Sequence, residues 1–233
     1  MEFIDQPTAP EVAPHQAFLS LPPDKQEAIR QACLKEFVDH GYHGASTNHI
    51  HEAAGISKGL IFHYFGSKKN LFLYLFDRTL EYFWDRMVGS GVADWPKDVF
   101  ERISLLSLQK VRLFEENPLY YRFVFEGQLN FPKGLEAEMA ERTRATTQRG
   151  YAILFKDIDL STFRPDIDPQ KAIEVVVITM NGLADKYLGI IRRSQDPDRA
   201  LRLTEGILGE FREYQRILKL GMCRPEPARP GSG

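Results

Sequence analysis

The sequence predicts an all-α protein, and three observations support that prediction. Apolar side chains recur every three or four residues along most of the 233-residue chain, which is the period of a helix with one buried face. No stretch shows the strict apolar and polar alternation of a half-buried strand. Helix starts are also marked, as at Asp168-Pro169 and Asp196-Pro197, where aspartate can cap a helix that proline begins. We expect about nine helices.

Composition narrows the class of protein. The chain is 43% hydrophobic and 27% charged, which is typical of a globular protein with a buried core. Its formal net charge of -2 excludes a globally basic coat for nucleic acid, so any attraction to phosphate must be local. Two cysteines are too few for a disulfide framework or a zinc site. With no apolar run of membrane-spanning length and no signal-peptide pattern, we expect a cytoplasmic protein that does not bind membranes.

The chain divides into four segments by pattern. Residues 1–22, rich in proline, are predicted to be a loose leader. Asp24 and Glu27 resemble a capping box, and Ile29, Cys33 and Phe37 then lie on one face of a first helix that Gly41 ends. Residues 23–70 are predicted to form a first domain, residues 71–220 a second helical domain, and residues 221–233 a flexible tail rich in Pro and Gly.

Two short helices joined by a tight turn are predicted inside the first domain. Ser46 and Ser57 are suitable N-caps for them, and Gly55 permits the turn. Ser67 begins the next, longer helix, with Lys68 in its first turn. This pattern is a helix-turn-helix. In proteins of this kind, the start of the second helix contacts base edges in the major groove of DNA, and the segment is locally basic.

At these residues the sequence resembles the TetR family of bacterial regulators. The resemblance runs from Phe37 to Leu71 and is carried mainly by the run Ala54-Gly55-Ile56-Ser57-Lys58-Gly59 and by Tyr64-Phe65. It implies a homodimer with a three-helix DNA-binding head and a body that binds a ligand. It also implies that Ser46, Thr47, Tyr64 and Lys68 hold phosphates, whereas the helix from Ser57 reads bases. The full set of predicted DNA contacts is Ser46, Thr47, Ser57, Lys58, Gly59, Leu60, Phe62, His63, Tyr64 and Lys68.

Five histidines in the same domain invite a metal-binding or pH-sensing interpretation. They are His40, His43, His49, His51 and His63. They lack the spacing and the acidic or cysteine company of a metal site, so we predict no metal and no cofactor. As a minor hypothesis, their protonation strengthens DNA binding at mildly acidic pH.

Aromatic side chains are abundant in the middle of the second domain. They could line a pocket for an apolar or aromatic effector, although such residues are more often simply core. The predicted pocket residues are Phe114, Tyr120, Tyr121, Phe123, Phe125 and Arg122.

The last two helices are apolar around more of their circumference than one packed side requires. Two such helices from each subunit would form a four-helix dimer interface. The predicted interface residues are Val176, Met180, Leu183, Tyr187, Ile191, Leu201, Leu208 and Phe211. A buried helix pair in a monomer is the alternative.

Together these features predict a transcriptional regulator of the repressor kind that binds a near-palindromic operator on double-stranded DNA. We expect a small, largely apolar effector to release it. The alternatives are a regulator of the same architecture that responds to a protein partner and, less favoured, an all-helical enzyme, for which no nucleophile motif, phosphate loop or carboxylate dyad is present.

Overall fold

The computed structural model describes residues 12–88, 95–129, 131–193 and 197–224, and within them the protein is all-α as predicted. Ten α-helices lie in these ranges, one more than expected. They are α1 (Gln16–Leu19), α2 (Pro23–Gly44), α3 (Thr47–Ala53), α4 (Lys58–Phe65), α5 (Lys68–Val88), α6 (Val99–Glu116), α7 (Pro118–Leu129), α8 (Glu136–Leu154), α9 (Pro169–Arg193) and α10 (Pro197–Met222). In the part of the chain that the structure describes, no helix is long and apolar enough to cross a membrane.

The described residues fall into two compact units. The first takes in those of Met1–Ala93 and Leu108–Leu154, and the second those of Asp94–Ser107 and Phe155–Gly233. Helix α6 therefore contributes to both. The predicted boundary at residue 70 is not a break in packing, because α5, α7 and α8 share one hydrophobic core with α2, α3 and α4.

The additional helix, α1, lies in the segment expected to be a loose leader. Phe18 in α1 is completely buried, with its ring centroid 5.0 Å from that of Phe65 and 5.9 Å from that of Tyr74. The Gln26 side chain also donates to the carbonyls of Leu19 and Leu21 at 3.1 and 2.9 Å. The leader prediction is therefore wrong for these residues, since one buried aromatic fixes a segment too short to show a helical period. Residues 1–11 lie outside the described residues.

Helix α2 begins close to the predicted position, at Pro23, with Pro22 before it in place of an aspartate cap. Gly41 does interrupt the helix: it has φ of +66°, a conformation that favours glycine. A further helical turn follows the kink and ends at Gly44. This kink sets the direction from which the chain enters α3.

The core of the first unit is largely aromatic. Phe72 of α5 lies 5.0 Å from Phe37 of α2 and 5.2 Å from Phe123 of α7, both in edge-on geometry, an arrangement that aromatic pairs favour. Helix α8 is tied to α5 by an ion pair between Arg142, which is buried, and Asp77. Helix α4 packs against α5, and α2 packs against both α5 and α7.

In the second unit, α9 packs against α10 around a separate apolar core. Four side chains predicted at a dimer interface, Val176, Met180, Leu183 and Phe211, are buried in this core. They fill the subunit's own interior, so these four side chains are not available to a second copy. Tyr187 is partly buried and its hydroxyl group donates to Glu210. The side chains of Ile191, Leu201 and Leu208 lie outside the described residues.

The beginning of the predicted flexible tail is ordered by backbone hydrogen bonds. Cys223 forms an isolated antiparallel bridge with Phe163, and the Arg224 N–H donates to the Thr162 carbonyl at 3.0 Å. The tail prediction is therefore wrong at residues 221–224, because these contacts are with chain segments distant in sequence. Residues 225–233 lie outside the described residues.

Candidate nucleic-acid interface

Helices α3 and α4 form the helix-turn-helix that the sequence predicts. The Ser46 hydroxyl caps α3 by accepting a hydrogen bond from the Asn48 N–H at 3.3 Å, and Ile50 is fully buried beneath it. Gly55 has φ of +63° in the turn, which explains the glycine there. The turn thus presents α4 as a separate short helix on the head.

Helix α4 has one exposed and one buried face. Ile61, Tyr64 and Phe65 are buried. The exposed residues of the helix are Lys58, Gly59, Phe62 and His63. Phe62 keeps 46% of its surface exposed, which is unusual for a phenylalanine and costs hydrophobic free energy unless something covers it.

Ser57 occupies the N-cap position of α4, but its side chain makes no capping hydrogen bond. The hydroxyl group of this exposed residue is thus not used to stabilise the helix start. Leu60 is partly buried against the core. Of the residues predicted to read bases, the structure therefore exposes Ser57, Lys58, Gly59, Phe62 and His63 together.

Tyr64 is placed differently from the prediction. Its side chain is 6% exposed, and its ring lies against Phe18 at 5.6 Å. The expected phosphate contact through Tyr64 is therefore not supported by its position. The ring is drawn inward because α1, which the sequence did not reveal, packs on this side of α4.

Lys68 is hydrogen-bonded to the C-terminal end of α2. Its ammonium group donates to the carbonyls of His43 and Ala45 at 3.2 and 2.9 Å and lies 5.2 Å from the centroid of the Tyr42 ring. The two carbonyls follow the Gly41 kink, where no helix continues to satisfy them. Lys68 therefore caps the end of α2 in addition to any contact with phosphate.

Lys69, next to it, forms an ion pair with Glu138 of α8. Part of the local positive charge expected near α4 is thus neutralised within the chain. The serine that precedes both lysines has the predicted role, since the Ser67 hydroxyl accepts from the Asn70 N–H at 3.0 Å.

Glu36 has a structural role in the head that the sequence pattern did not reveal. Its buried carboxylate accepts from the Ser46 N–H at 2.8 Å and contacts Nδ1 of His49 at 3.2 Å and Nδ1 of His40 at 3.3 Å. Burial alone would raise the pKa of Glu36, but the hydrogen bonds from Ser46 and His49 and the nearby His40 lower it below its ordinary value. Glu36 thereby fixes the start of α3.

Two of the crowded histidines thus have a structural role that their spacing did not indicate. His40 and His49 come together only because α2 and α3 cross, with ring centroids 6.0 Å apart. Among the described residues, no group of three or more His, Cys, Asp or Glu side chains has the arrangement of a metal site.

The predicted effector-pocket residues are partly used for packing between helices. Phe123 is core, and Tyr121 packs edge-on against Phe83 at 6.3 Å. The Tyr120 hydroxyl donates to Glu27 of α2 at 2.7 Å, and burial raises its pKa above the ordinary value, with the bond to Glu27 adding to the effect. Arg122 is exposed.

The side chains of Phe114 and Phe125 lie outside the described residues. The described side chains do not together form the predicted pocket. A groove of about 310 Å³ occurs elsewhere, in the second unit. Its lining comes from α6 and α10 and consists of Phe100, Glu101, Ser104, Arg212, Gln215, Arg216, Lys219 and Leu220.

The chain is similar to known proteins chiefly in the head. Residues 29–75 match the family model described as bacterial regulatory proteins, tetR family. The chain is 44% identical over 54 residues to the HTH-type transcriptional repressor AcnR of Corynebacterium glutamicum, covering 23% of this chain and 29% of AcnR. It is 28% identical over 148 residues to the HTH-type transcriptional activator FasR of Mycolicibacterium smegmatis, covering 62% of this chain and 65% of FasR.

The fold of the rest has a counterpart among solved structures. A TetR family transcriptional regulator from Chloroflexus aurantiacus J-10-FL superposes with a TM-score of 0.61 at 24% identity, covering 91% of this chain and all of that one. The chain spans less than two thirds of the length of AcnR and of FasR, so the relatives support the head more strongly than the body. The matched head and its helix-turn-helix geometry identify residues 29–75 as a domain of the tetR family of bacterial regulatory proteins, and the all-helical fold of the chain is similar to that of a TetR family regulator.

Proposed function

We propose that this protein is a sequence-specific DNA-binding regulator of transcription whose recognition helix is α4. The observation that carries the proposal is the exposed face of α4, where Lys58, Gly59, Phe62 and His63 point away from a buried aromatic core. A helix held rigidly by one face and left uncovered on the other suits insertion into the major groove.

The chemistry of this face fits base edges. Lys58 lies in the first turn of α4, where its ammonium group can donate to guanine O6 and N7. Gly59 has no side chain to hold the backbone away from DNA, and Phe62 can contact the methyl group of thymine. Ser46 and Thr47, both partly exposed at the start of α3, are suited to hydrogen-bond a backbone phosphate.

A second copy of the chain is the proposed partner of α9 and α10. Among the described side chains, the exposed apolar residues include Val175 and Ile178 on α9 and Ile217 and Leu220 on α10, with 41%, 64%, 55% and 70% of their surfaces uncovered. A Cβ atom built on Gly182, Gly206 or Gly209 meets nothing within 4 Å in the subunit. These glycines therefore leave room for the close approach of another helix pair. We propose this exposed surface as the interface in place of the buried residues predicted from the sequence.

A twofold dimer would present two copies of α4 to DNA. Such dimers bind half-sites that lie about 34 Å apart, or a multiple of it, along the duplex. A near-palindromic operator follows from this symmetry.

Regulation by a small, largely apolar effector completes the proposal. The bond between Tyr120 of α7 and Glu27 of α2 offers a direct connection between a body helix and the head, so a ligand that displaces α7 would disturb α2. We propose that the protein represses transcription and that the ligand relieves the repression. Among the relatives, AcnR is named a repressor and FasR an activator, so whether the ligand weakens or strengthens DNA binding has to be measured. A protein partner acting on the same helices is the second candidate for the signal.

Selection of bound duplexes from a library with a randomised centre tests the function and requires no assumed operator sequence. The expected result is enrichment of a near-palindromic sequence, together with a dimeric mass in solution at micromolar concentration. Recovery of no enriched sequence by the dimeric protein would refute the proposal that α4 reads DNA. A monomeric mass would refute the proposed interface.

A further inference from the structure

The short segment before α2 is built onto the recognition helix. Residues 15–21, here termed the N-terminal strap, lie outside the family match at residues 29–75. The His15 N–H donates to the Tyr64 carbonyl of α4 at 2.7 Å, and Phe18 is completely buried among aromatic rings of α4 and α5. The strap is thus fixed to the same helix whose other face is exposed.

The strap places a second histidine beside one on α4. The rings of His15 and His63 have centroids 4.7 Å apart, and both residues are exposed. Nδ1 of His15 accepts a hydrogen bond from the Ala17 N–H at 3.1 Å. In the neutral ring the hydrogen is therefore on Nε2, which leaves that nitrogen as a donor for a group outside the chain.

We propose that the N-terminal strap belongs to the DNA interface, with His15 donating from Nε2 to a backbone phosphate beside the last turn of α4. This inference rests on the proposed function and adds a contact from outside the helix-turn-helix. His63 lies in the last turn of α4, so the pair presents two adjacent imidazoles to the duplex.

A phosphate is favoured over a base because of where the pair lies. Base edges are read mainly by the N-terminal residues of a recognition helix, which here begin at Lys58. His15 instead contacts the C-terminal half of α4, through Tyr64 and His63. Phosphate contacts position the protein on the duplex and carry no sequence information directly, so His15 should affect affinity and leave sequence preference unchanged.

His15→Asn is the informative variant, because asparagine is also a good N-cap and can keep the bond from the Ala17 N–H while removing the imidazole. The probe is the duplex that the wild-type protein enriches from the randomised library. We expect His15→Asn to bind it about tenfold more weakly, with the same melting temperature as the wild type and with the same enriched sequence. Gln16→Asn, which changes the exposed side chain next to His15 on the same strap, is the control and should retain wild-type affinity.

Wild-type affinity of His15→Asn for the selected duplex would overturn the inference, and so would a change in the sequence that this variant enriches. These outcomes are distinct from failure of the proposed function, in which the wild-type protein itself enriches no sequence. His15→Ala separates the two roles of the residue: it should lose melting temperature as well as affinity, because alanine cannot cap α1.

Discussion

Replacement of Lys68 by alanine distinguishes the role that the sequence predicted for this residue from the one that the structure gives it. The sequence predicted a phosphate contact, for which the variant would weaken binding to every duplex and reduce the salt dependence by about one unit of slope. The structure adds a capping role, since the ammonium group donates to the carbonyls of His43 and Ala45.

The size of the effect on stability follows from these contacts. A net contribution of about 0.5–1.5 kcal/mol is usual for one hydrogen bond in a protein, and more where one partner is charged. Lys68 is partly exposed, so solvent competes for both bonds, and the contact with the Tyr42 ring at 5.2 Å adds about 0.5–1 kcal/mol. We therefore expect Lys68→Ala to lower the free energy of unfolding by about 1–2 kcal/mol.

Chemical denaturation followed by circular dichroism measures this loss, with Lys58→Ala as the matched control. Lys58 is exposed at the start of α4, so its removal should leave the free energy of unfolding unchanged. If Lys68→Ala were as stable as the wild type, the capping role would be wrong. A reduced salt slope on top of the lost stability would show that Lys68 contacts phosphate as well.

Three further predictions concern the interior of the head and of the first unit. The pKa of Glu36 is lowered in the folded protein, so its ionised carboxylate contributes stability at pH values above the ordinary glutamate pKa of about 4.3. This stability is lost as the pH falls through the lower pKa of the folded state. Denaturation at a series of pH values should show the loss of stability in the wild type and a smaller loss in Glu36→Gln. Gly150→Ala should lower the free energy of unfolding by about 1–3 kcal/mol, because the new Cβ would overlap the Trp84 ring. A double variant with Trp84→Leu should recover part of the loss in melting temperature, and no loss in the single variant would contradict this packing. Burial raises the pKa of Cys33 to about 12, so a thiol reagent at neutral pH should label it only after denaturant unfolds the protein, and rapid labelling of the native protein would contradict its burial.

Much of the head could be predicted because its determinants are local. Ser46, Gly55 and Ser67 act on residues within a few positions of themselves, and each has the structural role expected from its type. Glu36 could not be identified in the same way. Its partner Ser46 is ten residues away and is brought close only by the kink at Gly41.

The body was harder to predict because an apolar helix does not reveal what covers it. Periodicity indicated correctly that α9 and α10 are helices, yet Val176 and Met180 proved to be core, whereas Val175 and Ile178 are exposed. The buried and the exposed residues lie only one or two positions apart in the sequence. Both pairs are apolar, so residue type alone does not show which pair is buried. In the same way, Phe123 was as suitable for a pocket as for the core, and only its contacts with α2 and α5 decide between them.

The central claim is that the exposed face of α4 reads DNA, and parallel library selection with the wild-type protein and Lys58→Ala tests it most directly. The wild type should enrich a near-palindromic sequence, and the variant should enrich the same sequence with relaxed preference at one position in each half-site. An unchanged preference at every position in the variant, or no enriched sequence for the wild type, would contradict the claim.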